Sequence, residues 1–130
     1  MVAKAFLLLD LTTVATFRQP LLAEVKRVWP EVATLDVDAQ SGELLLHYGL
    51  RLLREADKAV VLVQADETTE GFGSAMPLVE ELLLAQEGRM VLLLGRHPRL
   101  ERMLQARPHI AFKQILDEAE ALGELALYFA

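Results

Sequence analysis

The sequence predicts a three-layer α/β/α sandwich built around a parallel β-sheet. Short apolar runs that favour strands alternate with longer segments whose apolar residues recur at helical spacing, from one end of the chain to the other. Strands separated by helices pair in parallel through right-handed crossovers, which places helices on both faces of the sheet. The predicted strands cover residues 4–10, 32–37, 58–65, 89–94 and 109–115.

Each predicted strand is followed by a segment with the features of an amphipathic helix. Pro30 ends the first helix, Ser41 is the expected cap of the second, and Gly88 follows the third. Pro98 suits the first turn of the fourth helix, which Pro108 closes. The first, second, third and fifth predicted helices cover residues 17–29, 41–56, 75–86 and 117–129.

The composition of the strands indicates their order in the sheet. The first, third and fourth strands are continuously apolar, as expected when helices cover both of their faces. The second and fifth are shorter or alternate, which is typical of edge strands. This pattern fits the flavodoxin-like order 2-1-3-4-5. Since no repeat or linker interrupts it, we expect residues 1–130 to form a single domain.

Composition excludes several classes of protein. The chain has 130 residues, 53% of them hydrophobic, which excludes a disordered protein. The absence of cysteine excludes a disulfide scaffold and a thiolate metal site. The net charge of -6 argues against a nucleic-acid partner. No apolar run approaches the roughly 18–20 residues that span a bilayer, so we expect a cytoplasmic protein without a membrane partner.

The second predicted helix has an unusually broad apolar surface. A helix that lies on a sheet needs an apolar stripe of somewhat over 100°, and this stripe is about twice as wide. Two explanations remain open: neighbouring helices cover it, or it forms a homodimer, which Leu46→Glu or Leu50→Glu would then disrupt. The apolar residues 125–130 form a second candidate for a self-association face.

Polar residues at the ends of the strands form a candidate ligand site. In an open α/β sheet, ligands bind beyond the carboxyl ends of the strands, where the strand order reverses. The glycines before Ser74 would let the backbone approach the phosphate or ribose of a nucleotide or nucleoside, although the loop matches neither a Walker loop nor the dinucleotide fingerprint. No residue spacing indicates a metal, and the cofactor is unknown. The candidate ligand-binding residues are Asp10, Thr12, Thr13, Gly71, Gly73, Ser74, Arg96 and His97.

Glu80 and Asp66 are the candidate catalytic residues. Helical spacing places Glu80 at the border of the apolar face of the third helix, with Glu81 pointing away. A partly shielded carboxylate beside a cleft can act as a base or a nucleophile. It remains open whether these residues act in an enzyme or whether both glutamates are solvated surface acids.

Residues 54–94 resemble part of two enzyme families. The strand that begins Ala-Asp-Lys-Ala-Val-Val at Ala56, the following polar loop and the six-residue spacing from Ser74 to Glu80 are similar to Toll/interleukin receptor (TIR) domains and nucleoside 2-deoxyribosyltransferases. The resemblance implies N-glycosidic chemistry on NAD or a nucleoside, with Glu80 engaging the ribose.

Three functional interpretations therefore stand side by side. The leading one is a small cytoplasmic binding or interaction module that self-associates as a dimer. The first alternative is an N-glycosidic enzyme that uses Glu80. The second is a receiver-like regulatory domain, because Asp10, Asp66 and Lys113 lie roughly where receiver domains carry an acidic residue, the phosphorylated aspartate and a lysine.

Overall fold

A single parallel sheet organises the part of the chain that the structure describes. In this computed structural model, the described residues are 3–12, 20–38, 41–66, 71–84, 88–108 and 110–130. Their strands are β1 (Lys4–Asp10), β2 (Ala33–Asp38), β3 (Lys58–Ala65), β4 (Arg89–Gly95) and β5 (Ala111–Ile115). All neighbours pair in parallel in the order β2-β1-β3-β4-β5, which confirms the predicted flavodoxin-like topology.

Helices cover both faces of the sheet and complete the three layers. They are α1 (Pro20–Val28), α2 (Glu43–Glu55), α3 (Met76–Leu82), α4 (Pro98–Gln105) and α5 (Glu118–Tyr128). Alternate residues of β1 point to opposite faces, so Leu7 enters one buried cluster with α2, α3 and α4. Leu8 enters the other cluster with α1 and α5. The two clusters explain why the central strands read as continuous apolar runs.

The observed helices differ from the predicted ones at their ends. The cap of α2 is Gly42 rather than Ser41, because the Ser41 hydroxyl accepts a hydrogen bond from the backbone N–H of Asp38 at 2.9 Å. The helix α3 ends at Leu82 rather than near residue 86, and a 3₁₀ turn (Gly73–Ala75) precedes it. Residues 17–19 and 85–86 of the predicted helices lie outside the described residues.

The three inner strands β1, β3 and β4 each begin with a basic residue that binds the end of a helix. The bonds join Lys4 Nζ to Phe129 O at 2.8 Å, Lys58 Nζ to Tyr128 O at 3.1 Å, and Arg89 Nη1 to Glu81 O at 2.9 Å. The last carbonyls of a helix lack partners within it and carry partial negative charge, so cations stabilise them. These bonds fasten α5 and α3 to the amino edge of the sheet.

Candidate functional site

The carboxyl ends of β1 and β3 bring three of the predicted site residues to one edge. The two strand ends are joined by a hydrogen bond from Leu11 N to Gln64 O at 2.8 Å. Asp10 is 8% exposed, and its Oδ1 accepts from the backbone N–H and the hydroxyl of Thr12 at 2.9 and 2.5 Å. Asp66 is half-buried just after β3. Thr13, also predicted for this site, lies outside the described residues.

His97 joins the loop that contains Gly71 and Gly73, here called the glycine loop, to the start of α4. Its side chain is fully buried, and its ring stacks on the ring of Phe72 with centroids 4.7 Å apart. Nδ1 accepts from Leu100 N at 3.1 Å and thereby caps α4. We infer from this bond that the ring proton lies on Nε2, which is 3.4 Å from the carbonyl oxygen of Gly71. Both ring nitrogens of this predicted ligand-binding residue are therefore engaged within the fold.

Arg96 and Ser74 also have partners within the protein. Arg96 Nε donates to Glu101 Oε2 at 3.3 Å, and the same oxygen accepts from the backbone N–H of His97 at 3.0 Å. The Ser74 hydroxyl donates to Ser41 O at 2.9 Å, across the gap between α3 and α2. Within the described part of this edge, a ligand would replace these bonds or use the exposed backbone of the glycine loop, Gly71 and Gly73.

The structure reverses the predicted orientation of the two glutamates on α3. Glu80 is exposed, whereas Glu81 is only 6% exposed. Arg89 Nη2 and Arg54 Nε both donate to Glu81 Oε1, at 3.1 and 3.2 Å. Helical spacing predicts that the residues on the inner face of α3 are apolar. It missed Glu81 because this position on the inner face holds a charged residue, which forms a buried ion pair with Arg89.

Glu80 is exposed on α3, about 9 Å along the helix from Ser74. Among the described residues its carboxylate forms no hydrogen bond or ion pair with another candidate site residue. Its neighbour Glu81 contacts Arg89, the first residue of β4. The paired strand ends group Asp10 with Asp66, and a catalytic role for Glu80 remains a prediction.

The environment of Glu81 favours a structural role over acid–base chemistry. Burial alone would raise the pKa of its carboxyl group, but the guanidinium groups of Arg54 and Arg89 outweigh burial and hold the pKa below its usual value. Arg89 also donates to Leu53 O at 3.4 Å, near the end of α2. A carboxylate held ionised between two cations is a poor proton acceptor, and it ties α2, α3 and β4 together.

The outer side of α2 carries three neighbouring apolar residues, Leu44, Leu45 and Tyr48, here called the α2 surface. Their exposed fractions are 84%, 37% and 50%. The inner side is covered by the core, which accounts for part of the broad stripe, and self-association through the exposed part stays a prediction. Leu46 is buried and Leu50 is half-buried. Both were expected at a dimer face, and that placement is wrong because the two leucines pack inward.

The second candidate face, residues 125–130, belongs mostly to the core. Leu125 and Phe129 are buried, and the Phe129 ring packs edge-on against Trp29 with centroids 6.0 Å apart. Leu127 remains 75% exposed. An isolated exposed leucine is ordinary on a protein surface, so this segment gives weaker support for a contact than α2 does.

The described residues contain neither a metal-binding cluster nor a membrane-spanning helix. No group of three or more His, Asp or Glu side chains there could hold a metal ion. None of the described helices is long and apolar enough to cross a bilayer.

Lys113 of β5 is the lysine that the receiver-like interpretation requires. Its Nζ donates to Glu124 Oε1 at 2.6 Å.

Comparison with known proteins gives one partial similarity. A DNA polymerase sliding clamp of Pyrococcus abyssi (strain GE5 / Orsay) is 37% identical to this chain over 78 residues. The match covers 60% of this chain and 29% of the clamp. No protein-family model matches the chain, and no solved structure matches it significantly. The chain thus spans less than a third of this relative, which leaves its family open.

Proposed function

We propose that this protein is a small interaction module that self-associates through the α2 surface. The observation that carries the proposal is the exposure of Leu44 (84%) and Tyr48 (50%) one helical turn apart, with Leu45 beside them. Scattered apolar residues are normal on a surface, whereas several on one helix face favour contact with another protein. Among the described residues at the carboxyl edge, the side chains of Asp10, Arg96 and His97 bond to groups within the protein, which gives less support to small-molecule chemistry.

The size of the α2 surface predicts a weak dimer. A helix of 13 residues is about 20 Å long, so one helix pair falls below the roughly 1,200 Å² of the smallest stable interfaces. Burying a leucine side chain contributes about 1.5–3 kcal/mol, and a few such residues must offset the cost of association. We therefore expect a dissociation constant on the order of 10 µM.

The partial similarity to a sliding clamp is compatible with this proposal. That relative is named for its action with DNA polymerase, and its name points to protein contacts rather than small-molecule chemistry. The net charge of -6 disfavours contact of this chain with the phosphates of a nucleic acid.

Sedimentation velocity over about 1–200 µM protein tests self-association, since this range brackets the expected affinity. Wild type should shift from monomer to dimer as concentration rises. Leu44→Glu should stay monomeric, because it would bury a charge at the contact. Leu127→Glu is the matched control: it alters a similarly exposed leucine on α5 and should still dimerise. A wild-type chain that is monomeric throughout refutes the proposal.

The alternatives can be tested on the same sample by thermal unfolding with added ligands. Stabilisation by NAD or a nucleoside that is lost in Glu80→Gln would favour the N-glycosidic interpretation. At about 100 times its dissociation constant, a ligand adds about 2.7 kcal/mol, which such an assay detects easily. Stabilisation by an acyl-phosphate mimic that is lost in Asp66→Asn would favour the receiver-like interpretation instead.

A further inference from the structure

We propose that the two copies pair with their α2 helices antiparallel, so that Leu44 packs on Tyr48 of the second copy and Arg51 lies beside Glu43 of the second copy. This inference rests on the proposed function and specifies how the second copy sits on the α2 surface.

The positions of the exposed side chains set the register of this pairing. Leu44, Tyr48 and Arg51 follow each other at spacings of four and three residues, so they form one line along the solvent side of α2. Leu46 is on the opposite, buried side. When Leu44 faces Tyr48 of an antiparallel copy, the two-fold axis passes at the level of Leu46, and this apolar contact forms twice. Such an interface is self-complementary, as a two-fold dimer requires.

The charged residues that flank Leu44 and Tyr48 along α2 favour the antiparallel arrangement. Glu43 begins α2, and Arg51 lies about 12 Å further along the helix axis. In the register set by Leu44 and Tyr48, Arg51 comes within two residues of the level of Glu43 of the second copy. A parallel pair would instead place Glu43 beside Glu43 and Arg51 beside Arg51. Like charges in contact disfavour that arrangement.

Arg51 retains the hydrogen-bond donors that this contact needs. Its Nε donates to Glu55 Oε1 at 2.9 Å within the helix. Among the described residues, its two terminal nitrogens have no other partner, and its side chain is 67% exposed. Glu43 is likewise exposed at the first turn of α2. One ion pair at each end of the contact would therefore join groups that the single chain leaves available.

A charge exchange tests the antiparallel register. Glu43→Lys places a cation beside Arg51 of the second copy, and Arg51→Glu places an anion beside Glu43 of the second copy. Each change alters two symmetry-related contacts, so each should raise the dissociation constant about tenfold. The double variant restores opposite charges at both ends and should return the constant to within about threefold of wild type. Sedimentation equilibrium measures all four constants, and far-UV circular dichroism confirms that each variant is folded.

The outcomes separate this inference from the proposed function. If wild type dimerises but the single variants bind as tightly as wild type, the copies do not pair in this register, and the inference is overturned while self-association stands. A parallel pair gives that same result, because each variant only exchanges one like-charge contact for another. If the single variants weaken the dimer and the double variant does not recover, the inference also fails. If wild type does not dimerise at all, both proposals fail.

Discussion

Replacing Glu81 with glutamine should destabilise the fold by about 3 kcal/mol, since breaking a buried ion pair costs about 3–5 kcal/mol. The side chains of Glu81 and Arg89 are each 6% exposed, and the change would leave the Arg89 guanidinium buried without its counter-ion. Arg89 keeps its bonds to the carbonyl oxygens of Glu81 and Leu53, which places the loss at the lower end of that range. The bond from Arg54 adds little, because its side chain is 58% exposed.

Urea unfolding followed by far-UV circular dichroism measures this loss. With a slope of about 2 kcal/mol per molar urea, the midpoint of Glu81→Gln should fall by about 1.5 M. Glu80→Gln is the matched control, since it makes the same chemical change on the next residue of the same helix. Because Glu80 is exposed, the unfolding free energy of the Glu80→Gln variant should stay within about 0.5 kcal/mol of that of wild type.

Equal midpoints for the two glutamine variants would refute the reasoning. A second check combines Glu81→Gln with Arg89→Met. If the two side chains act as a pair, the double variant should lose less than the sum of the single losses, by at least about 1 kcal/mol. Additive losses would mean that Arg89 stabilises the fold through the carbonyl bonds alone.

Three further predictions concern pH, a glycine and a helix cap. The stabilisation by Glu81 is present above about pH 4.3, the pKa of an unfolded glutamate, and is lost as pH falls through the lower pKa of the folded carboxyl; the difference in unfolding free energy between wild type and Glu81→Gln should therefore close in acid. Gly95→Ala should lower the unfolding free energy by at least about 2 kcal/mol, because the glycine has a φ of +100° and a Cβ there would lie 1.9 Å from Ala65 O. Gly123→Ala in α5, with open space around it, should instead raise the unfolding free energy by about 0.5 kcal/mol in the same urea assay. His97→Ala should lower the unfolding free energy by about 2–4 kcal/mol through loss of the α4 cap and of buried ring contacts, and His97→Asn should lose less because asparagine can still cap; equal losses in thermal unfolding would count against the capping role.

The fold could be predicted because burial on both faces leaves a continuous apolar run in the sequence. The predicted bounds of the first and third strands, residues 4–10 and 58–65, agree with β1 and β3. The edge positions of β2 and β5 followed from their shorter or alternating patterns. Helix ends were less predictable, since they depend on single bonds such as the one that holds Ser41 to Asp38.

The candidate site was harder to predict because the sequence does not tell whether polar residues face a ligand or each other. His97 follows a strand as a ligand-binding residue would, yet its ring is buried and bonded within the fold. The same difficulty affects Glu81, whose partner Arg89 is on another element. On α2, periodicity indicated a broad apolar surface but could not tell that Leu46 packs inward while Leu44 is exposed. The sequence feature that could have indicated such partners on other elements is the basic residue at the start of each inner strand.

Those basic residues concentrate the sensitivity to substitution at the amino edge of the sheet. Lys4, Lys58 and Arg89 hold the ends of helices at the amino edge, where a substitution would loosen two or three elements at once. The outer side of α2, by contrast, carries the exposed side chains of Leu44, Leu45 and Tyr48. We expect a library of variants to tolerate exchanges at these three exposed positions while rejecting changes at the three cations. The same architecture could therefore acquire new partners without repeated redesign of its core.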